Sequence, residues 1–217
     1  MTDTPGDPTA TDPPVRPPLP TLGVVSGRAF LALGAVVGAL GWGVTSLLTA
    51  RPGLAGATDP ALLAALVWAP LVVLMVGGGV FATPDAVRFA RPFLVWGPVN
   101  AAASMATLGA LLGWLPAATY WVAWALAGAA GFLATGAAVR RTGDDGALWL
   151  ATAACEAGVV VAGLVLGGPW PFAVLGVLHA VPLALWASGL ARRLGAGVAL
   201  VPVLSTAAVL GTGLYLA

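Results

Sequence analysis

Residues 147–193 read ALWLATAACEAGVVVAGLVLGGPWPFAVLGVLHAVPLALWASGLARR. Two apolar runs, 147–167 and 170–190, meet at Gly167-Gly168-Pro169 and are followed by Arg192 and Arg193. Each run has the roughly 20 residues that cross about 30 Å of hydrocarbon at 1.5 Å per residue. The stretch therefore predicts two antiparallel membrane-spanning helices joined by a tight turn.

Working outward, five more runs of the same kind occur at 24–50, 60–81, 92–115, 117–139 and 197–216, separated by Arg, Pro, Asp or Gly clusters. Trp114-Leu115-Pro116 must be a break although it carries no charge, because an uninterrupted helix over 92–139 would far exceed a bilayer. Thr58-Asp59-Pro60 has the pattern of an N-cap followed by Pro at the first helical position, and Thr83-Pro84-Asp85 predicts a short interfacial helix before the third span. The expected fold is all-α: a polytopic integral membrane protein with a seven-transmembrane-helix bundle over 23–217. Residues 1–22, with seven prolines in the first twenty positions, are expected to form a disordered Pro-rich cytoplasmic tail.

Composition agrees and excludes much chemistry. The chain has 217 residues, 59% hydrophobic and 8% charged, against about 25% charged in a soluble domain. Lys, Ile and Gln are absent, and there is one His, one Cys, one Glu and one Asn. Without Lys there is no Schiff base and no P-loop amine. A lone His and a lone Cys, Cys155, make neither a zinc site, a bis-histidine haem site nor a disulfide, so no metal and no cofactor is expected. A net charge of +1 with dispersed Arg argues against nucleic-acid binding. An enzyme is not the expected reading, since Cys155 and Glu156 are adjacent and point about 100° apart on a helix.

The arginines give the threading. Arg16, Arg28, Arg88, Arg91, Arg140, Arg141, Arg192 and Arg193 fall on one side of a seven-span chain and Arg51 on the other. Positive loops stay inside, so the N-terminus is expected to be cytoplasmic and the C-terminus external, in the cell membrane. Trp42, Trp114 and Trp170 lie towards the external ends and are expected to anchor at the interface. Gly-x-x-x-Gly pairs at Gly34/Gly38, Gly109/Gly113 and Gly163/Gly167 suggest a triplicated hairpin, but with thirty Gly in the chain about four such pairs arise by chance.

Glu156 and His179 are the ionisable residues that matter for function, because a charge at mid-bilayer costs about 2.5–3.5 kcal/mol or more and calls for a partner. Each lies about 14–15 Å from the start of its helix, on neighbouring antiparallel spans, so contact between them is geometrically allowed. Thr152, Glu156, Gly163 and Gly167 share one small, polar stripe of the kind that faces another helix. A stripe of Trp96, Asn100, Ser104 and Thr107 on the third span and one of Tyr120, Trp124, Gly128, Gly131 and Thr135 on the fourth suggest a polar interior. Its candidate lining is Glu156, His179, Asn100, Ser104 and Tyr120. Alternatively, such hydroxyls satisfy neighbouring carbonyls, contributing about 0.6 kcal/mol each, and His179 bonds the carbonyl freed by Pro182.

Two functions fit. The first is a structural or assembly subunit of a membrane complex, whose partners are the lipid bilayer and other membrane subunits. The alternative is a proton-coupled carrier or permease for a small solute, using Glu156 and His179 at mid-membrane. The threading has a direct test: a reporter fused after Ala217 should be active outside the cell, and one inserted between Thr142 and Gly146 active inside. Cytoplasmic activity of the C-terminal fusion would remove the seven-span threading.

Overall fold

The computed structural model describes residues 25–216, with side chains to residue 211; the expected tail over 1–22 lies outside the described residues. All regular elements among them are helical: α1 (Gly27–Ala50), α2 (Pro60–Gly77), α3 (Asp85–Arg88), α4 (Arg91–Leu111), α5 (Thr119–Arg141), α6 (Ala147–Leu166), α7 (Trp170–Ala187), α8 (Leu190–Leu194) and α9 (Leu200–Leu216). Seven helical segments are long and apolar enough to cross a membrane; the second continues from α2 to Ala82, and the last runs over Leu190–Gly211 through α8 and α9. Helices suit such a chain because hydrocarbon offers no partner for backbone N–H and C=O groups, so every one must be satisfied within its own segment.

Local signals set the helix ends. Asp59 accepts from the N–H groups of Ala61 (2.7 Å) and Leu62 (3.1 Å), with Pro60 at the first turn, as Thr58-Asp59-Pro60 predicts. Ser26 caps α1 and Asp145 accepts from Ala147 N–H at the start of α6. The uncharged break is present too: α4 stops at Leu111, short of the expected 115, and Gly113 takes φ +73°, a conformation other residues avoid. Past α2 a π-helical turn, Gly78–Ala82, leads into the expected short helix α3. Buried Arg88 closes this corner, donating to the Val80 carbonyl at 2.7 Å and pairing with Asp85.

Glycine decides which helices lie together. α1 packs most extensively on α7, α4 on α5, and α5 on α6, while α2 rests mainly on α1, and α9 on α6 and α7. The α1–α7 register is antiparallel: Gly34 faces Leu183, Gly38 faces His179, and Trp42 packs on Gly176. A Cβ on Gly38 would lie 2.8 Å from the His179 Cβ, so the two helices approach as closely as they do only because Gly38 has none. Gly41 receives the Trp68 indole from α2, and Gly131 on α5 receives the Trp96 indole from α4. The three Gly-x-x-x-Gly pairs are not equivalent: Gly34 and Gly38 both sit at a helix contact, whereas Gly113 and Gly167 are positive-φ turn residues. No triplicated unit follows from them.

The polar stripes of the third and fourth spans face each other. Trp96 Nε1 donates to Thr135 Oγ1 at 3.3 Å and Trp124 Nε1 to Thr107 Oγ1 at 2.9 Å, while each threonine hydroxyl donates to a carbonyl one turn back. Exposed side chains such as Val73, Met105, Val161 and Val165 cover the outer faces with apolar surface. The packing yields a paired prediction. Gly41→Leu collides with Trp68 and should destabilise the bundle by about 1–3 kcal/mol, the usual cost of overpacking. Gly43→Leu, where an added Cβ meets nothing within 4 Å, should be silent. Equal melting temperatures for the two variants in detergent would contradict the α1–α2 contact.

Candidate functional site

Glu156 and His179 meet. Glu156, nine residues into α6, is fully buried, and its Oε1 lies 3.1 Å from His179 Nδ1 on α7, whose side chain is 15% exposed. The tight Gly167-Gly168-Pro169 turn sets the two helices antiparallel, which brings residues at equal depth side by side. Nδ1 also lies 3.0 Å from the Leu175 carbonyl, one turn back along α7. His179 thus takes the carbonyl of Leu175 and not the one that Pro182 frees, which in an α-helix belongs to Leu178.

The carboxyl sits in a slot made by the absence of side chains. A Cβ on Gly128 of α5 would overlap Glu156 Oε2 and lie 3.0 Å from His179 Cε1. Gly38 of α1 lies against His179 Cβ, and aromatic rings close the remaining sides: Phe132 at 5.6 Å and Trp42 at 5.8 Å from the imidazole centroid. Glu156 Oε1 is close to Nδ1 without being aligned as a hydrogen bond, and Oε2 has no partner among the described residues.

The chemistry of this arrangement is the gain or loss of one proton. With a proton on Nδ1, the imidazole donates to the Leu175 carbonyl and faces a carboxylate at 3.1 Å. Adding one proton to Glu156 removes the carboxylate's charge and gives the carboxyl an O–H donor beside the imidazole; the pair then holds one proton more than before, taken up from outside it. Among the described residues, the other titratable groups on the helices packed around the pair are few. Cys155 adjoins Glu156 on α6, and the Tyr120 ring stacks on Phe172, two helical turns from His179, at 6.0 Å. Arg28, Arg140 and Arg141 are exposed at helix ends.

The remaining candidates do not join this pair. Ser104 and Tyr120 line a separate cavity of about 240 Å³ bounded by α1, α2, α4 and α5. The exposed Ser104 donates to the carbonyl of Asn100, and the half-buried Asn100 side chain makes no hydrogen bond among the described residues. The expected single polar interior is therefore two places: an acid–imidazole pair with its carboxyl fully buried and an apolar cavity with hydroxyls on its wall. Trp42 is also corrected: it is 2% exposed, packed among Trp68, Phe172 and His179 and not anchored at an interface. Trp42, Gly38 and Gly128 are the residues that the sequence did not single out for the site. Two spacings hint at it: Gly34, Gly38 and Trp42 along one face of α1, and Gly128 on the polar stripe of the fourth span.

The fold and this site describe a helical bundle of membrane-spanning length with a buried acid–imidazole contact at its centre. No protein family matches the chain, and neither the curated proteins nor the solved structures provide a match.

If Glu156 and His179 interact, Glu156→Gln and His179→Ala should not add. The double variant should cost less than the sum of the singles, with a coupling of about 0.5–3 kcal/mol by thermal unfolding in detergent. Strict additivity would dissolve the pair.

Proposed function

We propose that this chain is a multi-pass membrane protein working as a proton-coupled carrier for a small solute, with Glu156 as the protonation site and His179 as its partner. The observation that carries this reading is the contact itself: an unpaired carboxyl oxygen and an imidazole, enclosed at mid-depth where each helix is otherwise apolar. An assembly subunit needs no such group, and a fully buried carboxyl without an aligned donor is a standing cost in hydrocarbon. A protonated and a deprotonated pair, packed against α1, α5 and α7, are the two states that a coupled carrier requires. Pro182, fully within α7 three residues after His179, leaves that helix able to bend next to the site.

The subunit reading retains one observation in its favour. Only 6% of the most apolar window of the second span and 11% of that of the last are buried within the bundle, so both offer broad surfaces to lipid or to another chain.

The test is the pH dependence of stability. Comparing the wild-type chain with Glu156→Gln between pH 5 and 8 isolates the pair, because every other titrating group is common to both. In the wild-type chain the melting temperature should shift across this range by about 2–4 °C for each kcal/mol involved, and Glu156→Gln should flatten it. A wild-type curve already flat, or a slope retained in Glu156→Gln, would sink the proton-site reading, and stoichiometric co-purifying chains would favour the subunit.

A further inference from the structure

The cavity of about 240 Å³ has a specific construction. α2 turns Ala61, Ala65 and Ala69 toward it, four residues apart and so on one face of the helix, where larger side chains would fill the space. Trp68 of α2 and Trp124 of α5 stack at 5.9 Å with planes 10° apart, forming a pillar between these helices. α2 and α4 are not closely packed on one another, which leaves the cavity between them open.

The indole N–H groups of the pillar are already engaged, Trp68 with Thr45 and Trp124 with Thr107. Thr107 donates to Ala103 and accepts from Trp124, so its hydrogen and one of its two acceptor positions are taken. Ser104 donates to Asn100 and so offers its oxygen as an acceptor on the cavity wall. No charged side chain lines the space, so an ion would lose its hydration with nothing in exchange. Apolar cavities of about 150 Å³ bind benzene; this one has room for a fused bicyclic ring.

One residue belongs to both places. Trp42 lines the cavity, and its ring centroid lies 5.8 Å from that of His179. Its Cβ is held against Gly176, and its ring contacts Trp68 edge-on at 5.5 Å. A molecule seated in the cavity therefore presses on the same indole that walls the imidazole.

We propose that this cavity is the solute site, that it takes a small, neutral, lipophilic aromatic molecule bearing one hydrogen-bond donor, and that Trp42 couples its occupancy to the Glu156–His179 pair. The coupling rests on the carrier reading above; binding to the cavity does not. An aromatic solute with a donor fits the wall better than a lipid acyl chain, which has no donor for Ser104.

The probe is 5-bromoindole, whose bromine quenches tryptophan fluorescence on contact, added to the full chain in phosphatidylcholine nanodiscs. Quenching should saturate with one site. Ala65→Phe and Ser104→Phe, which fill the space from opposite walls, should each weaken binding by about tenfold or more, and using both keeps the test decisive if one variant does not fold. The wild-type midpoint should differ between pH 5 and 8 by about fivefold, and Glu156→Gln should bind without that difference. Quenching that rises linearly and equally in wild type and filled variants would mean partition into lipid and would overturn the site. Saturable binding with no pH dependence would overturn the coupling through Trp42. A flat melting curve without probe, by contrast, would remove the proton site while leaving cavity binding standing.

Discussion

Glu156 reaches His179 across the α6–α7 contact because Gly128 has no side chain to occupy the place of its carboxyl oxygen, and His179 is seated because Gly38 has none on the other flank. Most of the packing follows from satisfying this demand. Two helices, α1 and α5, must come within backbone range of the pair, and they do so from different sides. α4 is then held to α5 by its indole–threonine bonds, and α2 to α1 by the Trp68 indole in the Gly41 notch. In hydrocarbon there is little hydrophobic drive to bring helices together, so close approach at small residues and a few interhelical hydrogen bonds must do it. The hydroxyls serve this purpose economically: each threonine of the α4–α5 seam donates to its own helix and accepts from the neighbour's tryptophan.

Much of this was legible in the residues. Span number, the break at Trp114-Leu115-Pro116, the Asp59 cap and the short helix before the third span all depend on local chemistry, and local chemistry is what a sequence displays. The equal depth of Glu156 and His179 follows from counting along two helices joined by a turn too short to offset them. Rotation is another matter. A helix that is apolar all round has no preferred face, so which residues point inward depends on which neighbours it meets. Trp42 looks like an interfacial anchor by its place in the run, yet it is central, because α1 meets α7 through the face that carries Gly34, Gly38 and Trp42. Ser104 and Tyr120 were grouped with the acid on polarity alone; the α4–α5 seam turns them to a different space.

The two polar locations differ in kind, and the difference matters for function. At the acid–imidazole pair, polar atoms outnumber aligned partners among the described residues, which is what the proposed proton site rests on. At the cavity, the indoles are satisfied and the surface is apolar, so any selection there would be by shape. Trp42 stands between them with one ring.

The α1–α7 contact also bears on how the chain is made. Gly38 and His179 are about 140 residues apart, and at synthesis rates of about 5–20 residues per second the first span waits roughly 7–28 s in the membrane before its principal neighbour emerges. During that interval the Gly34, Gly38 and Trp42 face has no lasting partner from its own chain, and α2, which docks through Gly41, shields only part of α1. Early biogenesis therefore exposes a glycine-notched surface to other nascent helices.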